Sequence, residues 1–163
     1  MKQFAVIGDP IAHSLSPILH QEVYRQLDLD ASFEKIHLMP NALHSFMKVN
    51  ELDGFNVTIP YKQSVIPFLN ELDESAQTIG AVNCVHDGKG YNTDWIGLTK
   101  AMEQNGVSLN GKDCIILGSG GAARAIAFGL VKLGAKSISI KNRTQSKADQ
   151  LLDWINSIFP NNN

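Results

Sequence analysis

The run Gly118-Ser119-Gly120-Gly121-Ala122-Ala123 follows the apolar stretch Cys114-Ile-Ile-Leu117 and opens an alanine-rich segment. Gly118 permits a tight turn, and Gly120 lets backbone N–H groups come close to an anion. The helix that starts there offers unpaired donors and the positive end of its dipole. A Gly-x-Gly-x-x-Ala pattern is common by itself. It gains weight from its setting: a strand before it, a helix behind it, and a second strand, Ser137-Ile-Ser-Ile140, about 20 residues on. This predicts that residues 118–123 bind the pyrophosphate of a dinucleotide.

The end of the second strand discriminates between dinucleotides. An acid there would bond a free ribose 2′-hydroxyl. The sequence instead has Lys141-Asn142-Arg143-Thr144, with no acid. Arg143 supplies a planar, permanently charged fork suited to a 2′-phosphate, and Thr144 adds a hydroxyl. The expected cofactor is NADP. No histidine or cysteine spacing suits a metal, and none is expected.

Four other segments carry polar groups at element ends. Ser14 and Ser16 place two hydroxyls at a helix start, a suitable place for a carboxylate, although Ser16 alone reads as an N-cap. Asn56 and Thr58 share one face of a strand, and Lys62 follows just after its end. Asn83 lies in Ala81-Val-Asn-Cys84, and Asp94 closes Asn92-Thr-Asp94. Any one of these is an ordinary turn former or cap.

The elements that must hold them read as α/β. Phe4–Gly8 is a strand, and Ser16-Pro17 starts a helix with Leu19, Val23 and Leu27 on one apolar face. Residues 32–38 form a strand, Asn41 caps a helix through Val49, and residues 54–59 form a strand stopped by Pro60. Asp87-Gly88 marks a hairpin, and Asp94 opens a helix to about Gln104. The turn-rich residues 105–112 are the expected boundary between a domain at 1–105 and a second at 106–163. Beyond it lie one βαβ unit and a helix from Ser146 to Phe159, with Asn161-Asn162-Asn163 as a short polar tail. In that last helix Leu151, Leu152, Ile155, Ile158 and Phe159 make an apolar stripe that predicts an uncovered patch.

Net charge is −2, which argues against a nucleic-acid surface. No apolar run is long enough to span a bilayer, and the N-terminus lacks a signal-peptide pattern. Cys84 and Cys114 are expected to be buried free thiols in a reducing, cytoplasmic setting. A homodimer is left open.

Taken together and in order, Ser-x-Ser-Pro, Asn56-Val-Thr-Ile-Pro-Tyr-Lys62, Gly80-Ala-Val-Asn83, Tyr91-Asn-Thr-Asp94, Gly118 to Ala125 and Asn142-Arg-Thr144 resemble the shikimate dehydrogenase family from Phe4 to about Lys147. The resemblance implies an N-terminal α/β substrate-binding domain followed by a partial Rossmann-like NADP-binding domain. It implies that Ser14 and Ser16 hold a shikimate carboxylate, and that Asn56, Thr58, Asn83 and Asp94 meet ring hydroxyls. Lys62 and Asp94 would be the catalytic pair for reversible reduction of 3-dehydroshikimate to shikimate. Residues 118–123 and 142–144 would bind NADP.

Three positions depart from the family pattern: Tyr61 where histidine is frequent, Cys84 where threonine is usual, and Trp95 where glycine is common and where bulk could crowd the cleft. Family members also run longer, so a truncated chain is expected. Two rivals follow: a non-catalytic shikimate-binding module, and a quinate/shikimate enzyme with relaxed cofactor choice. A methyltransferase with a similar glycine turn explains neither Arg143 nor Lys62.

Overall fold

The structure is a computed structural model and describes residues 1–160. The asparagine tail at 161–163 lies outside the described residues. Contacts divide the chain into two compact units: Met1–Gln77 with Val82–Tyr91, and Thr78–Ala81 with the chain from Asn92 onward. Each is α/β. The turns at 105–112 lie inside the second unit.

The first unit is built on six strands: β1 (Lys2–Gly8), β2 (Ala31–His37), β3 (Gly54–Val57), β4 (Glu71–Leu72), β5 (Cys84–His86) and β6 (Lys89–Tyr91), in the order β2-β1-β3-β5-β6-β4. β1 runs parallel to both β2 and β3, so each link needs a crossover, supplied by α1 (Ser16–Gln26) and α2 (Leu43–Val49); a short α3 (Glu74–Ile79) follows β4. β5 pairs antiparallel with β3 and β6. The expected hairpin turn is present, with Asp87 at φ 50° and Gly88 at φ 72°, the positive values that a two-residue turn demands. Alternating strand residues and loop anchors make the core, with Ile7, Val65 and Val82 fully buried.

α1 corrects two expectations. Ser16 is its first helical residue rather than its cap; Leu15 holds the cap position, and Ser14 Oγ accepts the Ser16 N–H at 3.3 Å. The face turned to the sheet is Pro17, His20, Gln21 and Tyr24, spaced i, i+3, i+4, i+7. Pro17 is buried, Gln21 Nε2 donates to the Phe33 carbonyl at 3.1 Å, and Tyr24 rests on Phe4. Leu19 and Leu27, expected to face inward, are 65% and 63% exposed. Polar partners on β2 and β3 set the rotation of this helix, a factor invisible to apolar periodicity. Leu19→Ala is therefore expected to shift the unfolding free energy by less than about 0.5 kcal/mol in a urea titration, whereas an inward Leu19 would cost about 2–5 kcal/mol.

Asn41 does not cap α2. A 3-10 turn at Pro40–Ala42 leads into the helix without a side-chain cap, because Pro40 sets φ for a tight turn. β3 ends at Val57, two residues short of the expected stop.

The second unit holds β7 (Asp113–Leu117) and β8 (Ser137–Lys141), parallel and in register, with α4 (Asp94–Gln104), α5 (Gly121–Lys132) and α6 (Gln145–Ile158). α5 packs on β7 and α6 on β8. Gly134, at φ 78°, ends the turn after α5 as a C-terminal glycine should. α4 meets α5 closely at Gly129, where an added Cβ would sit 3.4 Å from Leu98.

The apolar stripe of α6 is largely covered, contrary to expectation. Leu151 and Ile155 are buried against Ile116, Ala127 and Leu130, and Leu152 alone of the stripe is exposed. Two strands and a neighbouring helix suffice for one helix face. The solvent-facing apolar groups are instead Ile115 and Leu117 of β7, 65% and 81% exposed.

Candidate active site

Within the first unit the predicted polar residues gather at the carboxyl edge of the parallel strands, where α/β sheets place their ligands. Ser14 and Ser16 come from the loop and helix start after β1, and their hydroxyls lie 3.2 Å apart. Asn56 lies in β3 and Thr58 just past its end. The Thr58 N–H donates to the Ile7 carbonyl at 3.0 Å, which ties it to the end of β1. A Cβ on Gly8 would fall 2.5 Å from the Thr58 methyl, so glycine is required for this approach. The Val57 N–H donates to the Asn83 carbonyl at 2.8 Å, and the Val82 N–H to the Lys62 carbonyl at 2.7 Å. The main chain thus brings residues 58, 62 and 83 to one edge. Their side chains are all half-buried, which suits groups that must meet a ligand.

Of the departures from the family pattern, two lie in this unit. Tyr61 is buried, and its hydroxyl donates to the Leu38 carbonyl. Burial, and after it the charge of Asp9, pushes that phenol up. Tyr61 is therefore a core anchor beside Lys62 and stays outside the polar edge. Cys84 and Cys114 are free thiols but half-buried rather than buried; burial pushes the Cys84 thiol up, which keeps it inert.

His20 lies beside the predicted residues of this edge without being expected there. It stacks on Phe33 and touches Asn56. The available signal was the polar stripe Ser16, His20, Tyr24 at helical spacing, which runs beside the apolar one.

In the second unit Gly118 has φ 109°, a region that favours glycine. Its N–H donates to the Lys141 carbonyl at 2.8 Å, which fastens the glycine turn to the end of β8. Gly120 caps α5 with extended backbone, and an added Cβ there or at Gly118 would project into open space. Ser119, Gly120, Asn142, Arg143, Thr144 and Lys147 line one cleft of about 210 Å³. Asn142 Nδ2 donates to the Thr144 carbonyl at 2.9 Å, closing the loop that carries Arg143. Two cations and no carboxylate line this cleft, so it suits a phosphate. Lys147, in the first turn of α6, also lines the cleft and is not singled out by the sequence reading. Gly121, Ala122 and Ala123 form the first turn of α5, with Ala123 packed into the core. Gly118→Ala is expected to lower stability by about 1 kcal/mol, read as a lower melting temperature, because alanine pays for a positive φ that glycine adopts freely.

Asp94 is the first residue of α4, and its N–H donates to Asn92 Oδ1 at 3.1 Å. Asn92 is 1% exposed, and its Nδ2 donates to the Ala81 carbonyl at 2.9 Å. Trp95 packs edge-on against Phe128 at 5.2 Å. Its indole N–H is buried and has no partner among the described residues. Arg124, inside the glycine-rich motif, turns away from the cleft: it donates to the Ile79 carbonyl at 3.0 Å and lies 4.6 Å over Trp154.

Known proteins match this chain along most of its length. Residues 6–85 match the family described as shikimate dehydrogenase substrate binding domain, and residues 99–159 match shikimate / quinate 5-dehydrogenase. The chain is 44% identical to shikimate dehydrogenase (NADP(+)) of Nitrosopumilus maritimus, covering 96% of this chain and 60% of that protein. It is 39% identical to the protein of the same name from Caldicellulosiruptor bescii, covering 98% and 58%. The crystal structure of shikimate dehydrogenase from Aquifex aeolicus superposes with a TM-score of 0.87 at 37% identity, covering 94% of this chain and 60% of that one. Shikimate 5-dehydrogenase from Thermus thermophilus, in complex with NADP(H) and shikimate, gives 0.84 at 36% identity, covering 95% and 61%. The chain thus spans about 60% of the length of these relatives.

Proposed function

Because this chain belongs to the shikimate dehydrogenase family, we propose that it binds NADP and shikimate and serves the reversible reduction of 3-dehydroshikimate to shikimate. Residues 1–105 are assigned to the shikimate-binding catalytic domain, and residues 106–163 to the Rossmann-like NADP-binding domain. The observation that carries the reading is the acid-free cleft of Ser119, Gly120, Asn142, Arg143, Thr144 and Lys147 beside a turn that needs Gly118. These residues fit a dinucleotide bearing a 2′-phosphate: main-chain donors at the start of α5 for the pyrophosphate, and Arg143, Thr144 and Lys147 for the extra phosphate.

NADPH, when bound, supplies the hydride. The chain's own residues bind, orient and manage the proton. Ser14 and Ser16 hold the substrate carboxylate with two hydroxyl donors. Asn56, Thr58 and Asn83 fix the ring through its hydroxyls. As the carbonyl oxygen gains charge, the Lys62 ammonium stabilises it and delivers a proton; in the other direction the amine accepts one. Asp94, the other member of the proposed catalytic pair, is assigned to the substrate hydroxyl. Asp94 starts a helix, where a carboxylate is favoured by the dipole.

Two free cysteines suit a reducing cytoplasm. No helix among the described residues is long and apolar enough to cross a membrane. Exposed Ile18, Leu19 and Val23 on α1 give a surface for a homodimer, which sedimentation equilibrium reads directly.

The test is calorimetric titration of the protein with NADPH, NADH and shikimate, followed by loss of NADPH absorbance with 3-dehydroshikimate. Binding of both shikimate and NADPH, with preference for NADPH over NADH, is the expected result. Absence of shikimate binding at millimolar ligand, or equal affinity for NADPH and NADH, sinks it.

A further inference from the structure

His20 sits in the first unit among residues that fix the plane of its ring and meet both of its nitrogens. Its imidazole stacks flat on the buried Phe33 ring, with centroids 4.0 Å apart and planes 8° apart. That stacking leaves the two ring nitrogens only in-plane partners. Nε2 lies 3.3 Å from Asn56 Nδ2, and Nδ1 lies 3.4 Å from the Tyr24 hydroxyl. With the Asn56 NH₂ turned to the ring as donor, Nε2 is the acceptor of this pair. The ring is then neutral and carries its proton on Nδ1, facing Tyr24. Burial agrees, holding the His20 pKa below its ordinary value of 6.5.

The consequence falls on Asn56. A carboxamide has a donor end and an acceptor end, and its neighbours decide which way it faces. With Nδ2 committed to His20, the carbonyl Oδ1 is the end presented as an acceptor.

We propose that His20 is a positioning residue that sets the orientation of the Asn56 amide, so that Asn56 accepts a hydrogen bond from a substrate hydroxyl. The inference rests on the shikimate-binding reading above and assigns the polarity of one contact within it. It also defines a pH response. Protonated His20 has donors on both nitrogens and would face the Asn56 NH₂ donor to donor. Tyr24 and Cys84 are the titratable neighbours in this pocket, and burial pushes both upward, so both remain protonated and neutral through the acid range. The arrangement is intact above pH 6.5 and is lost as pH falls through the lowered pKa of His20.

The test has two arms. In the first, His20→Gln, His20→Leu and the parent are titrated with shikimate and, separately, with NADPH. Glutamine can still offer an acceptor to Asn56; leucine cannot. The expected result is a loss of shikimate affinity of about tenfold or more in H20L, the cost of about one hydrogen bond to an oriented group. H20Q should recover most of that loss, and NADPH affinity should be unchanged in both. Parent-like shikimate affinity in H20L, or an equal loss for NADPH, overturns the proposal. The second arm needs no variant and no substrate: the ring nitrogens of His20 are observed by NMR in the parent. An Nδ1–H tautomer that protonates below pH 6.5, with the Asn56 side-chain NH₂ signals moving in step, supports it. An Nε2–H tautomer, or an imidazolium at neutral pH, overturns it. A parent that binds no shikimate would remove the functional reading, while the tautomer still decides how Asn56 is held.

Discussion

Replacing Lys62 with alanine is expected to lower kcat by about 100- to 10,000-fold, the range that a positioned acid–base group contributes, and to leave KM within a few-fold of the parent. The scaffold gives a reason to expect a clean result. The main chain around Lys62 is anchored by its neighbours. Tyr61 is anchored in the core through the Leu38 carbonyl, and the Lys62 carbonyl accepts the Val82 N–H. Truncating the side chain leaves both of these anchors in place. In the proposed site, Ser14, Ser16 and Asn56 would keep the ground-state contacts. Steady-state kinetics of Lys62→Ala with NADPH and 3-dehydroshikimate, alongside a melting curve, makes the measurement. A variant that melts like the parent and turns over within threefold of it would remove Lys62 from the reaction.

Arg143→Ala is the second large effect. Charge-assisted hydrogen bonds are worth about 1.5–3 kcal/mol each, so the dissociation constant for NADP should rise by about 10- to 100-fold. NAD lacks the 2′-phosphate and should bind within about twofold of its parent affinity. The residue is exposed and sits on a loop closed by Asn142 and Thr144, so the fold should not respond. Lys147→Ala should act in the same direction and less strongly, since a lysine ammonium lacks the planar fork. Equal losses for both cofactors would move Arg143 away from the 2′-phosphate and onto the shared part of the nucleotide.

Much of the second unit was legible in the residues themselves. Gly118 must adopt a positive φ, a strand must precede it and a helix must follow, and the absence of an acid after Ile140 is a matter of residue type alone. Chemistry that depends on short spacing and backbone conformation is written locally. The Asp87-Gly88 hairpin and the glycine end of α5 were legible for the same reason.

The first unit shows where such reading stops. The sequence determined that Leu19, Val23 and Leu27 share one face of a helix; it could not say which face would meet the sheet. That choice depended on partners far along the chain: the Phe33 carbonyl and ring on β2, and Asn56 on β3. His20 consequently looked like one of five scattered histidines, and only tertiary packing made it a neighbour of a predicted ligand. Likewise the cover of α6 came from β7, β8 and α5 together, a sum that no single apolar stripe reveals. Residue types and short-range periodicity determine which groups are available and which elements form. The rotation of each element, and hence which polar atoms meet, is decided by long-range packing and hydrogen bonding.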